Sequence, residues 1–317
     1  MKRTSLTMLN AGIAFIMAFI ISQFTSAIGV QITEIIFQAI GLTASKIEKF
    51  WETSGGYLLQ SLYMNLAFVG IFIWYFKYMK KQDVLNKPNK STLKYFAVCL
   101  VVGIISMFLL SGTLNYFNLI LDKLKLSPAN PNIPLNSTLD YILCLISLAV
   151  IPAVCEELLF RGVFINCLKH KGQIFAIVAS SIMFSIFHFS LLQLIYPICF
   201  GLILGIIYLR TRNIIFPIII HFINNALSLT IQYFSTNSSA FSHSEFMLGY
   251  TIITFALWLV AMFYMFKDFI KYRKESNQSD DTNIVDNQAN NKINNLVFYG
   301  SIAIMLCLYT LIIIISI

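Results

Sequence analysis

Two adjacent carboxylates, Glu156 and Glu157, lie deep in an apolar run that also carries Arg161. Two histidines follow in later apolar runs: His188, four residues after Phe184, and His221, four residues before Asn225. The other two, His170 and His243, fall in polar segments. Carboxylate, imidazole and amide are the working parts of water-activating hydrolysis. One group takes a proton, and N–H donors stabilise a developing oxyanion. Ionisable groups inside an apolar span are expensive, and their default reading is functional. Helical spacing separates their tasks. Glu157 and Arg161 are at i,i+4 and pair on one face, while Glu156 projects about 100° away and is free for another partner. Phe184 and His188 put an aromatic ring under an imidazole. His221 and Asn225 share a face and present donors to one point. Each feature alone has a structural reading, as an ion pair or a packed core histidine. Taken together in one third of the chain, they favour chemistry.

The elements that must position these residues are membrane helices. The chain has 317 residues, 58% hydrophobic and 11% charged, against roughly 25% charged in soluble domains. A spanning helix needs about 20 mostly apolar residues. Such runs occur near 8–30, 57–76, 95–116, 141–160, 173–190, 192–209, 214–234, 246–266 and 297–317. They are too long and too uniformly apolar for barrel strands. The expected fold class is all-α, a polytopic membrane bundle of about nine transmembrane helices.

The formal charge of +8 raises nucleic acid as a partner, and its distribution excludes it. With Lys2 and Arg3 cytoplasmic, nine crossings put the segments Lys77–Lys94, Lys169–Lys171, Arg210–Arg212 and Lys267–Lys292 on the same side. With Lys2 and Arg3 included, that side holds 17 of the 22 Lys and Arg, four (Lys46, Lys49, Lys123, Lys125) fall opposite, and Arg161 is within a helix. This is the positive-inside bias. The expected location is integral in a membrane with the N-terminus cytoplasmic. Abundant Asn, Lys and Ile point to an AT-rich genome and a bacterial cell membrane. The six cysteines sit in or beside apolar segments without metal-like spacing and read as small packing residues.

Three regions are expected. Residues 1–138 supply about three N-terminal transmembrane helices, 139–235 a catalytic helical core, and 236–317 C-terminal helices joined by an Asn-rich cytoplasmic linker at 275–295. Residues 31–52, with Trp51, read as an interfacial segment, and the lysine-rich loop 77–94 as solvated surface. Pro152 and Pro217, each four residues before a key group, are expected to kink their helices. Gly201 and Gly205 form a small-xxx-small face for close packing. Depths agree less well. At 1.5 Å per residue, Glu156 lies about 20 Å from Lys169, His188 about 25 Å from Lys171, and His221 about 13 Å from Arg212.

The patterns Glu156-Glu157-x-x-x-Arg161, Phe184-x-x-x-His188 and His221-x-x-x-Asn225, in that order on successive spans, resemble the CAAX-protease and bacteriocin-processing family. Its members are glutamate-dependent intramembrane endopeptidases related to the type II CAAX prenyl endopeptidases. The resemblance covers roughly 139–235 and departs at no motif position. It implies that Glu156 is the general base, that His188 positions and polarises the water, and that His221 and Asn225 form the oxyanion hole. Glu157 and Arg161 would support the site as a buried ion pair, and Phe184 would form its wall. It implies no cofactor, no metal, and a membrane-associated peptide or protein as substrate. Two alternatives remain open: a zinc-dependent protease using Glu156, His188 and His221 as ligands, and a non-catalytic immunity or scaffold protein of the same fold. An intramembrane carboxylate also suits a proton-coupled transporter.

Overall fold

A computed structural model of the chain describes residues 8–77, 84–87, 93, 95–106, 123, 133–188, 190, 195–237, 256, 259–260, 262–272 and 295–307. Among them there is no strand; the one departure from helix and turn pairing is an isolated bridge between Leu85 and Asn213. Helix α1 spans Met8–Ala39, α2 Ala44–Trp51 and α3 Ser54–Phe76. Then come α4, Tyr95–Ser106, and the long α5, Thr138–Lys171. Helix α6 is Gln173–Ile186, α7 Ile195–Thr211 and α8 Ile215–Asn237. Helical stretches at 262–272 and Asn295–Cys307 complete the described part.

Four of these helices are long and apolar enough to cross a membrane: Leu9–Ala39, Ser54–Phe76, Thr138–Lys171 and Ile215–Phe234. Large apolar side chains such as Phe24, Ile35, Ile73 and Trp74 are exposed on the outside of the bundle, as a lipid-facing surface requires. The protein is therefore an all-α membrane bundle. The expected spans 95–116, 246–266 and 297–317 are only partly among the described residues. The linker 275–294 is outside them.

Several boundaries differ from expectation for identifiable reasons. Residues 31–39 continue α1, so Glu34 is a helical residue and accepts a hydrogen bond from Trp51 Nε1 at 3.2 Å. The chain turns at Gly41 (φ 88°) before the short α2, whose Lys46, Glu48 and Lys49 are exposed and whose Ile47 is buried. The loop after α3 is not wholly solvated either. Val84 is fully buried, and residues 84–86 are strapped to the α7–α8 turn by Ile214 N–H to Val84 O and Asn86 N–H to Arg212 O, both 2.9 Å. Pro217 produces no mid-helix kink. It is the third residue of α8, where backbone N–H groups have no intrahelical partner to lose.

Helix α5 is the axis of the site. Its N-terminus is capped by Ser137, whose Oγ accepts from Asp140 N, and the Asp140 carboxylate accepts from Ser54 (2.6 Å) and Ser137 (2.8 Å). That ties the starts of α3 and α5 together. Two π-helical segments, Ile146–Val150 and Leu158–Ile165, interrupt the α-helix on either side of Ile151–Glu157. Such turns recur at functional sites because they rotate the side chains beyond them. Helix α8 packs on the first half of α5, while α6 and α7 pack on the second π segment. Helices α6 and α7 approach closely: a Cβ on Gly201 would come within 2.9 Å of Ser181 Cβ, and one on Gly205 within 3.1 Å of Ile177. Glycine is required at 201 for that approach. Four cysteines are buried, Cys199 is half-buried and Cys307 exposed, all free thiols.

Candidate active site

Inside the bundle, α5 and α8 bring Glu156, Glu157, Arg161 and His221 together, with Phe184 of α6 and Gly201 of α7 against them. Glu157 and Arg161 are fully buried and pair across one helical turn, Arg161 Nη1 donating to Glu157 Oε1 at 2.7 Å. The guanidinium also donates through Nη2 to Gly201 O at 3.3 Å and lies over the Phe184 ring, 4.8 Å from its centroid. That oxygen is reachable because Gly201 has no side chain to hold α7 away. Glu157 Oε2 and Arg161 Nε are buried without a hydrogen-bond partner among the described residues.

Sequence spacing foresees the Glu157–Arg161 pair but not the third member. His221 Nδ1 lies 2.8 Å from the same Glu157 oxygen. An arginine-paired carboxylate oxygen accepts, so Nδ1 carries the hydrogen and the imidazole is fixed in orientation. Its other nitrogen, Nε2, faces Glu156 Oε2 at 3.8 Å, close enough for charge attraction and too far for a direct hydrogen bond. Adjacent helical residues diverge by about 100°, and the ring lies across that angle with one nitrogen toward each carboxylate. Glu156 is partly accessible, its side chain 19% exposed, whereas Glu157 is sealed.

His188 differs from expectation. Helix α6 ends at Ile186, so His188 belongs to the turn after it. Its Nδ1 contacts Phe184 O at 2.9 Å. A carbonyl only accepts, so this nitrogen is the donor and Nε2 is left as an acceptor. Phe184 is the common wall: its ring meets His188 edge-on at 4.9 Å, His221 at 5.7 Å and Phe160 at 5.1 Å. Phe200 closes the other side of His221 at 5.5 Å.

Asn225 is already engaged. Its Nδ2 donates to Leu148 O at 3.3 Å, and its Oδ1 accepts from Asn224 Nδ2 at 3.2 Å. Asn224 in turn accepts from the Tyr196 hydroxyl. Leu148 O and Ser147 O lie four and five residues before Pro152, which has no N–H to offer them. Each is met by a side chain, Asn225 for Leu148 and Ser61 Oγ for Ser147 at 2.6 Å. Pro152 and the π turn before it thus open two carbonyls of α5 to α8 and α3.

Thr211, Asn213 and Ile214 in the α7–α8 turn are buried under the 84–86 strap. Among the described residues, no group of three or more His, Cys, Asp or Glu side chains stands close enough to hold a metal ion.

Fold and site together define a polytopic helical membrane protein whose costly polar residues converge inside the bundle. Residues 138–227 match the family model described as type II CAAX prenyl endopeptidase Rce1-like, and this stretch contains every motif residue above. No curated protein and no solved structure matches the chain.

Proposed function

We propose that this protein is an intramembrane endopeptidase that hydrolyses a peptide bond of a membrane-associated peptide or protein, with Glu156 as the general base. The observation that carries the reading is the contrast between the two glutamates. Glu157 is consumed by Arg161 and His221, whereas Glu156 is partly accessible and makes no direct hydrogen bond to them. Water attacks the scissile carbonyl carbon and gives its proton to the Glu156 carboxylate. The C–N bond then breaks, and the protonated Glu156 returns that proton to the leaving amine. His188, with Nε2 as an acceptor, orients the water. His221 Nε2, when protonated, and the Asn225 amide donate to the oxyanion. Arg161 balances one carboxylate, so an imidazolium between Glu156 and Glu157 leaves the cluster neutral.

The zinc-dependent alternative needs Glu156, His188 and His221 as a converging ligand set, and the described arrangement gathers no such three. The non-catalytic alternative gives no reason for an accessible carboxylate beside a fixed imidazole. The bilayer is the setting, with a cytoplasmic N-terminus in a bacterial cell membrane. Terminus mapping by mass spectrometry of membranes from cells expressing wild type or Glu156→Gln tests the reading. New peptide termini dependent on Glu156 are expected; identical sets of termini in the two strains would remove it.

A further inference from the structure

Among the proposed oxyanion donors, Asn225 has an ambiguity the imidazole lacks. Turning its amide exchanges N–H for C=O, and only the N–H can stabilise an oxyanion. Two neighbours decide which end faces where. Leu148 O accepts only and draws Asn225 Nδ2 at 3.3 Å. Asn224 Nδ2 donates to Asn225 Oδ1 at 3.2 Å and so claims the opposite end. Asn224 is itself an amide that could turn, and the hydroxyl of Tyr196 donates to its Oδ1, which leaves its nitrogen toward Asn225. Asn224 is buried, at 4% exposure, and its alternatives are few. The ring of Tyr196 stacks on Phe200 (5.5 Å, 18°), the same ring that flanks His221.

We propose that Tyr196 and Asn224 are positioning residues, a relay that holds Asn225 with its amide nitrogen toward the site as an oxyanion donor. The proposal rests on the endopeptidase reading above. An amide nitrogen carries two hydrogens: Leu148 O takes one, and the other is left for substrate. Asn225 is half-buried, so that second hydrogen is reachable. The relay also accounts for two adjacent asparagines on α8, one as donor and one as its orienting partner. Pro152 completes the device by leaving Leu148 O without the N–H four residues on.

Two substitutions separate orientation from bulk. Tyr196→Phe keeps the ring and removes the hydroxyl. Asn224→Asp keeps the shape, but a carboxylate only accepts; it draws Asn225 Nδ2 and turns Oδ1 toward Leu148 O and the site. With a quenched fluorogenic farnesylated CAAX peptide in detergent, Tyr196→Phe is expected to lower kcat about tenfold, the worth of one hydrogen bond. Asn224→Asp is expected to lower it about 10²-fold, the worth of one oxyanion donor. KM stays unchanged for both, because the lost interaction forms only in the transition state. In an Asn225→Ala background neither lowers kcat further. Thermal unfolding supplies a substrate-free arm: the melting shifts of Tyr196→Phe and Asn225→Ala are less than additive. Additive shifts, or a Tyr196→Phe effect on kcat that persists without the Asn225 amide, would overturn the relay. Wild-type turnover by Asn225→Ala would instead overturn the donor role on which it rests. If wild type does not turn over this peptide, the melting cycle alone decides the relay.

Discussion

Replacing Glu157 with alanine strands a charge that has nowhere to go. One oxygen of Glu157 accepts from both Arg161 (2.7 Å) and His221 (2.8 Å), and Arg161 is fully buried. Without that carboxylate the guanidinium keeps only the Gly201 carbonyl at 3.3 Å and the face of Phe184. Breaking a buried pair from one side costs roughly 3–5 kcal/mol. At about 2–4 °C per kcal/mol for a large domain, the midpoint should fall by roughly 10 °C. Glu157→Gln keeps an acceptor oxygen in place and should fall between alanine and wild type. The double variant Glu157→Leu/Arg161→Met removes both charges and should regain most of the loss, since replacing a whole buried pair by apolar groups is often neutral. Thermal unfolding of detergent-purified protein, with monodispersity checked by gel filtration, reads all three. A Glu157→Ala protein that melts like wild type, or a double variant no more stable than Glu157→Ala, would refute the reasoning.

Further outcomes test the support, topology and metal independence of the site. Ser61→Ala leaves Ser147 O without its donor and should destabilise by about 1–3 kcal/mol. Pro152→Ala returns an N–H that competes with Asn225 for Leu148 O and should lower turnover more than stability; denaturation midpoints and kcat measured together check both. In a cysteine-free background, a cysteine at Val285 should be protected from an impermeant thiol reagent in intact cells and one at Ser238 labelled, following the positive-inside distribution. The reverse pattern would invert the topology. Peptide cleavage in detergent should survive exhaustive EDTA or phenanthroline; inhibition that added zinc restores would move the assignment to a metalloprotease.

The sequence made the class and the polar cluster legible for different reasons. Long apolar runs can satisfy their backbone in lipid only as helices, so the all-α fold follows from composition. The pairing of Glu157 with Arg161 follows from i,i+4 spacing on one helix. His221 meeting that same carboxylate does not, because 64 residues separate them and their relation is set by how α8 crosses α5. The π segments were likewise hidden: nothing in the composition of Leu158–Ile165 distinguishes a π turn from an α turn. Pro152 was legible as a disturbance, but its consequence, two carbonyls bonded by Ser61 and Asn225, needed the neighbouring helices. Tyr196 and Asn224 belong to no motif and gave one faint sign, the doubled asparagine. His188 read as a span residue because apolar composition continues past Ile186, where the helix ends.

The division of labour between the two glutamates is tested most directly by cleavage rates in proteoliposomes. Purified wild type, Glu156→Gln and Glu157→Gln are compared on one peptide that purified wild type cleaves. Glu156→Gln should fold like wild type and lose about 10²–10⁴ in turnover, the usual worth of a general base. If Glu156→Gln keeps wild-type turnover while Glu157→Gln is folded and inactive, the roles are reversed and Glu157 is the base.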